Sequence, residues 1–240
     1  MPASRAPLTR DSFRVKIAVQ RVRLGGRDYR VIRPAGPLKN GALYRQDDSY
    51  DMYVDRTDGR RIGTLFLLAA RSPRSLVYLP MRNTATSPGA DCGDERPLDL
   101  VLAHPEVQLR PSRWKQLRTR INAGNAPREL RTARVPERDL PDLDAAFVFP
   151  DDPKEADALS PRRHVYADTL ILTGHAVAFR DGAKEIFAVT RDGPPEAATK
   201  LYIPGPGCNY HVCRCVFDWD TPDGRGWEPL HAQFTPAWAR

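Results

Sequence analysis

The stretch FRVKIAVQRVRLGGRDYRVIRP, residues 13–34, decides how this chain is read. Phe13, Val15, Ile17 and Val19 alternate with Arg14, Lys16, Ala18 and Gln20, the period of a strand with one buried face. Gly25-Gly26 supplies the positive φ that a two-residue hairpin turn requires. Residues 13–24 and 27–34 therefore read as a β-hairpin. Its apolar phase slips at Val22 and Leu24, which predicts a bulge near Gln20. The polar side of the hairpin carries Arg14 and Lys16, with Arg27, Arg30 and Arg33 from the return strand.

Outward from this hairpin the pattern stays rich in strands. Ser49–Asp55 and Arg61–Ala69 flank Thr57-Asp58-Gly59-Arg60, a turn signal that predicts a second hairpin. Ser75–Arg82 and Pro97–Ala103 read as strands around a polar loop. The clearest helix runs from Pro111 to Asn122, where Trp114, Leu117 and Ile121 form one apolar stripe and Gly124 ends it. Arg128, Arg131, Arg134 and Arg138 follow at intervals of three or four, one positive ridge if that stretch is helical. Val165–Leu172, His175–Arg180 and Glu185–Thr190 predict a meander that turns at Thr173-Gly174 and Asp181-Gly182. Lys200–Ile203 and His211–Trp219 add two strands. The fold class expected is α+β, mostly antiparallel, with about ten strands and one or two short basic helices. Three parts are expected: a basic body over 1–134, a Pro/Asp-rich connector over 135–163, and an acidic part over 164–240 that stands alone or shares a domain with 1–134.

Charge points to function more than any motif does. Residues 1–140 hold 27 Lys+Arg against 15 Asp+Glu, and the last 100 hold 10 against 15. A basic body of this size attracts polyanions, nucleic acid first among them. Arginine supplies 31 of the 37 cations, and its planar fork binds phosphate bidentately. The candidate contact residues are Arg14, Lys16, Arg30, Arg33, Arg113, Lys115, Arg118, Arg120, Arg128, Arg131 and Arg134. Tyr29, Tyr44, Tyr50, Tyr53 and Trp114 lie among these charges and suit stacking on unpaired bases. The function expected is a non-enzymatic subunit of a nucleoprotein assembly. It would bind RNA or single-stranded DNA, with a protein partner docked on the acidic third. One rival is an interaction module or inhibitor that masks an acidic or nucleic-acid-binding surface. Another is a metal-dependent nuclease that uses Asp47, Asp48, Asp51 and Asp55.

The remaining chemistry sits near the C-terminal end. Cys208, His211, Cys213 and Cys215 are four good zinc ligands within eight residues, and on a strand the last three share a face. One structural zinc is the cofactor expected, with Cys92 or His231 as substitutes for a member out of reach. No histidine has an evident catalytic partner: His104 stands alone, and a turn at Thr173-Gly174 holds His164 and His175 apart. The longest apolar run, Leu65–Ala70, is far short of a membrane span, and the N-terminal residues lack the apolar core of a signal peptide. A cytoplasmic protein without membrane contact is expected.

Overall fold

The computed structural model describes residues 13–85, 95–124, 126–145, 159–198, 212–221 and 226–235. Over these residues the protein is α+β, with twelve strands in two sheets and three α-helices.

The first sheet has seven strands. In spatial order they are β8 (Arg128–Arg134), β1 (Arg14–Leu24), β2 (Arg27–Pro34), β5 (Ser75–Leu79), β7 (Asp99–Ala103), β10 (Thr169–Thr173) and β9 (Arg162–Val165). The second has five: β11 (Cys213–Phe217), β12 (Leu230–Phe234), β4 (Tyr50–Val54), β3 (Gly41–Arg45) and β6 (Arg96–Pro97). Three neighbour pairs are parallel, β2/β5, β7/β10 and β4/β12. The other seven are antiparallel. The strands after residue 160 join sheets begun by the first hundred residues, with β10 beside β7 and β12 beside β4.

Helices α1 (Arg56–Arg71) and α3 (Ala176–Ala197) pack together between the sheets, and one core joins all three layers. Val15, Ile17, Val77, Leu100 and Leu172 enter that core from the first sheet, and Leu43, Met52, Val54, Leu230 and Phe234 from the second. Helix α2 (Trp114–Asn122) covers the outer face of the first sheet and closes a second core with Trp114, Leu117 and Ile121, all fully buried.

The first hairpin forms as its sequence predicts, with Gly25 and Gly26 at φ of +58° and +78°. Its phase slip has a different cause from the bulge expected. The β1–β2 register is continuous from Ile17 to Leu24. The cover changes instead: odd residues of β1 face α1 and α3, while Val22 and Leu24 face α2.

Two predicted turns are helical. Asp55 caps α1 by accepting from the Asp58 N–H at 2.6 Å, so Thr57-Asp58-Gly59-Arg60 opens a helix and 61–69 is not a strand. The run Ile62–Ala70 is buried on every side because α1 lies between two sheets, and so short a continuous apolar run is indistinguishable from a buried strand by its period. Asp181-Gly182 likewise falls inside α3, which replaces the meander over 175–190. Gly59 and Gly182 serve close approach rather than turning: a Cβ on Gly59 would stand 2.3 Å from Thr190 Cγ2, and one on Gly182 2.7 Å from Phe217 Cζ. With α1 and α3 the helices number three, two of them long and largely apolar, against the one or two short basic ones expected. Residues 128–134 are the edge strand β8, not a helical ridge. The expected strand 200–203 lies outside the described residues.

Candidate nucleic-acid interface

Pairing of β8 with β1 and of β1 with β2 sorts the basic residues by parity. Arg14 stands opposite Arg134, Lys16 opposite Thr132, Ala18 opposite both Leu130 and Arg33, and Gln20 opposite Arg128. Directly paired residues share a sheet face. Arg14, Lys16, Arg33, Arg128 and Arg134 therefore project from one face, the outer one, beside α2. No Asp or Glu of β8, β1 or β2 projects from it. Arg14, Lys16, Arg128 and Arg134 are exposed, and Leu130 among them is 72% exposed. Arg33 is half-buried and donates to Asn122 Oδ1 at 3.2 Å. Burial, and then the nearby charge of Arg128, lowers its pKa from the ordinary arginine value.

The other expected contacts are elsewhere. Arg131 points to the opposite face and pairs with Glu129 at 2.6 Å. Arg30 also faces inward, donating to Ser75 Oγ at 2.5 Å. Lys115 and Arg120 are exposed on α2, and Arg113 on the 3-10 turn that leads into it. Arg113 and Arg120 gather at the β1–β2 turn, Arg113 against Gly25 and Arg120 donating to the Arg23 carbonyl at 2.8 Å. Arg118 is not a surface residue: it lies under α2, 3.4 Å from Asp99, and donates to the Ala167 carbonyl at 2.7 Å. Tyr78 O–H, the Met81 N–H and Arg82 complete the shell around Asp99. The aromatics expected to stack on bases are core. Tyr29, Tyr44, Tyr50, Tyr53 and Trp114 are each less than 9% exposed.

The acidic third uses several of its carboxylates internally. Arg214 bridges Glu185 and Asp192 at 3.1 and 3.2 Å. Arg191 holds Asp192 and Asp144, each at 2.9 Å. Arg163 pairs with Glu228 and lies over the Trp219 ring.

Of the expected zinc ligands, Cys208 and His211 lie outside the described residues. Cys213 and Cys215 share a face of β11, the first buried and the second exposed. Among the described residues no group of three or more His, Cys, Asp and Glu side chains is placed to hold a metal ion. The four aspartates do not converge. Asp47 and Asp48 lie in the β3–β4 turn, Asp51 is buried in β4 and Asp55 caps α1.

Sequence reasoning missed two constellations. His104 and His175 follow the parallel strands β7 and β10 and meet edge to face, ring centres 5.2 Å apart. Burial is the main cause that lowers the His104 pKa, with His175 adding to it and Glu106 opposing. Only the parallel pairing of β7 with β10 makes this pair, and nothing local in the sequence signals it. In the second sheet Cys215 stands opposite His231, and His231 opposite Asp51, one transverse row over three strands.

No helix of the described residues is long and apolar enough to cross a membrane. Comparison with protein-family models, with curated proteins and with solved structures finds no match to this chain.

Proposed function

We propose that the protein binds nucleic acid through the outer face of β8, β1 and β2, as a non-enzymatic component of a nucleoprotein assembly. One observation carries this reading: five cationic side chains from three strands share a sheet face with no carboxylate from those strands. A phosphate backbone laid across the face meets these cations and releases counterions. The exposed Leu130, set between Arg128 and Arg134, offers an apolar contact for an unpaired base or a sugar. With the tyrosines buried, affinity rests on phosphate contacts more than on stacking. Sequence preference is accordingly weak.

The test is fluorescence anisotropy with labelled 20-nucleotide RNA and DNA, single-stranded and duplex, over a range of salt. Binding of the single strands at 50 mM salt, weakening by about 0.7 log units per phosphate contact for each log unit of salt, is expected. No binding of any of the four at 50 mM salt overturns the reading. The masking of an acidic protein surface then takes its place.

A further inference from the structure

The first sheet ends on a strand with one unpaired side. Among the described residues β8 pairs with β1 alone, and each of its residues is exposed except Ala133, which is half-buried. In an antiparallel pair the N–H and C=O groups of successive residues point alternately to the two sides of the strand. The Val135 N–H donates to the Phe13 carbonyl at 3.3 Å, and the same register continues through Arg14 and Arg134. Odd-numbered residues of β8 therefore bond to β1. Arg128, Leu130, Thr132 and Arg134 turn their N–H and C=O groups away from it, toward the free side.

Such an edge accepts another strand, and side-chain complementarity decides which one. Consider β8 of a second copy, antiparallel, with Leu130 opposite Leu130. Arg128 then stands opposite Thr132 on the outer face, and Glu129 opposite Arg131 on the inner one. Symmetry repeats both pairs. Glu129 and Arg131 are exposed and already meet within one chain at 2.6 Å, so the second copy closes them into a ring of alternating charge. They fall at positions without cross-strand hydrogen bonds, where facing side chains come closest. The two Leu130 side chains, each 72% exposed, cover one another. The neighbouring registers oppose pairing. Leu130 opposite Thr132 sets Arg131 against Arg131 and Arg128 against Arg134, and Leu130 opposite Arg128 sets Glu129 against Glu129. Opposite charges across strands stabilise a sheet and like charges destabilise it.

We propose that two copies of this chain pair through β8 about a two-fold axis at Leu130, which joins their first sheets into one. A contact of this symmetry is self-complementary and occupies both free edges at once. The axis stands perpendicular to the sheet, so the two basic faces lie side by side. Arg128 comes diagonal to Arg134 of the second copy. That repulsion and the small area of an edge contact keep the association weak. The inference does not rest on the nucleic-acid reading, and its test contains no nucleic acid.

Sedimentation equilibrium of the full chain tests it. At about 0.15 M salt and up to about 200 μM protein, wild type should fit a monomer–dimer equilibrium with a Kd of about 10–100 μM. Glu129→Arg and Arg131→Glu should each weaken the dimer at least about tenfold, since each sets like charges across the axis in both pairs. Mixed in equal amounts, the two variants should pair about as tightly as wild type, because the mixture again opposes unlike charges. The chain that carries both substitutions should dimerise for the same reason. Under mild oxidation Leu130→Cys should give a disulfide-linked dimer joined at that position. Thr132→Cys should not, since its two copies stand about 13 Å apart along the strands. All these positions are exposed, and thermal melting checks that each variant folds. Wild type that stays monomeric at the highest concentration overturns the proposal. So does a dimer that both single charge variants keep, or a mixture of the two that does not pair. Cross-linking of Thr132→Cys but not of Leu130→Cys also overturns it, because the axis then lies elsewhere.

Discussion

Arg118 on α2 and Asp99 on β7 meet 3.4 Å apart, with the Asp99 side chain 2% exposed and the Arg118 side chain 12%. This pair ties the helix to the sheet at the point where Trp114 Nε1 donates to Thr169 Oγ1 at 2.8 Å. Removing one partner leaves a buried charge short of its counterion. Arg118→Ala should therefore lower stability by about 3 kcal/mol, the low end for such a change because Arg82 still faces Asp99. Urea denaturation measures it, and a loss under about 0.5 kcal/mol would mean that the pair contributes only as a surface bridge does.

The basic face behaves in the opposite way. Arg128 and Arg134 are exposed on an edge strand, so replacing both with Ala should change stability by less than about 0.5 kcal/mol per site. On single-stranded RNA the log–log salt slope should flatten by about 1.4, the share of two phosphates. Arg131→Ala, on the other face of the same strand, should leave the slope where it was. Equal effects of the three substitutions would show that general charge, and not this face, sets the affinity.

Gly59 tests the packing of α1 on α3. In an open helix Gly→Ala is favourable by up to about 1 kcal/mol. Here the added methyl meets Thr190 Cγ2 at 2.3 Å and Val54 Cγ2 at 3.1 Å. Gly59→Ala should destabilise by about 1–3 kcal/mol instead. The sign of the change in melting temperature decides between the two.

Asp181 on α3 has its pKa raised, first by burial and then by Glu185 one turn on. A carboxyl raised in the folded state contributes stability at low pH, which is lost as pH rises through the folded value. Asp181→Asn should therefore stabilise the protein at pH 7 and bring no such gain at pH 3, below the ordinary carboxylate pKa of about 3.9. Urea midpoints at the two pH values test this.

His104 has the opposite sign from Asp181. Burial lowers its pKa, so the folded state resists protonation. The stability this group contributes is complete above the ordinary value of about 6.5 and is lost as pH falls through the lowered folded value. The urea midpoint should fall between pH 7.5 and 5, and His104→Gln should flatten that fall. An unchanged pH profile in the variant would show that the titration belongs to other groups.

What the sequence makes legible follows from how local each signal is. The 13–34 hairpin and the Trp114–Leu117–Ile121 stripe depend on neighbours within a few residues, and both form as read. The helix α1 was hidden because its C-terminal half is one continuous apolar run that reads equally well as a buried strand, and α3 because Asp181-Gly182 has the composition of a turn. Their Asp-Gly pairs have the composition of turns but are required for contact with Thr190 and Phe217. The basic face was half legible. Its residues were named, but the i+3 spacing of Arg128, Arg131 and Arg134 suggests a ridge only on a helix. On a strand it sends the middle residue to the other face. Of the row Cys215–His231–Asp51 only the nearness of His231 to the cysteines was suggested by the sequence, since the row joins three strands whose pairing no local pattern encodes.

That pairing also sets the order in which the molecule can be assembled. β12 lies between β4 and β11, so Met52 waits for Ala232 and Tyr53 for Gln233 across most of the sequence. Closing so long a loop costs entropy before any hydrogen bond forms, and such topologies fold slowly. On the ribosome the first strands of the second sheet emerge long before the strand that completes them. Until then β4 presents an open edge, Tyr50-Asp-Met-Tyr-Val54, that invites other strands. Refolding should therefore be slow and prone to aggregation at high protein concentration.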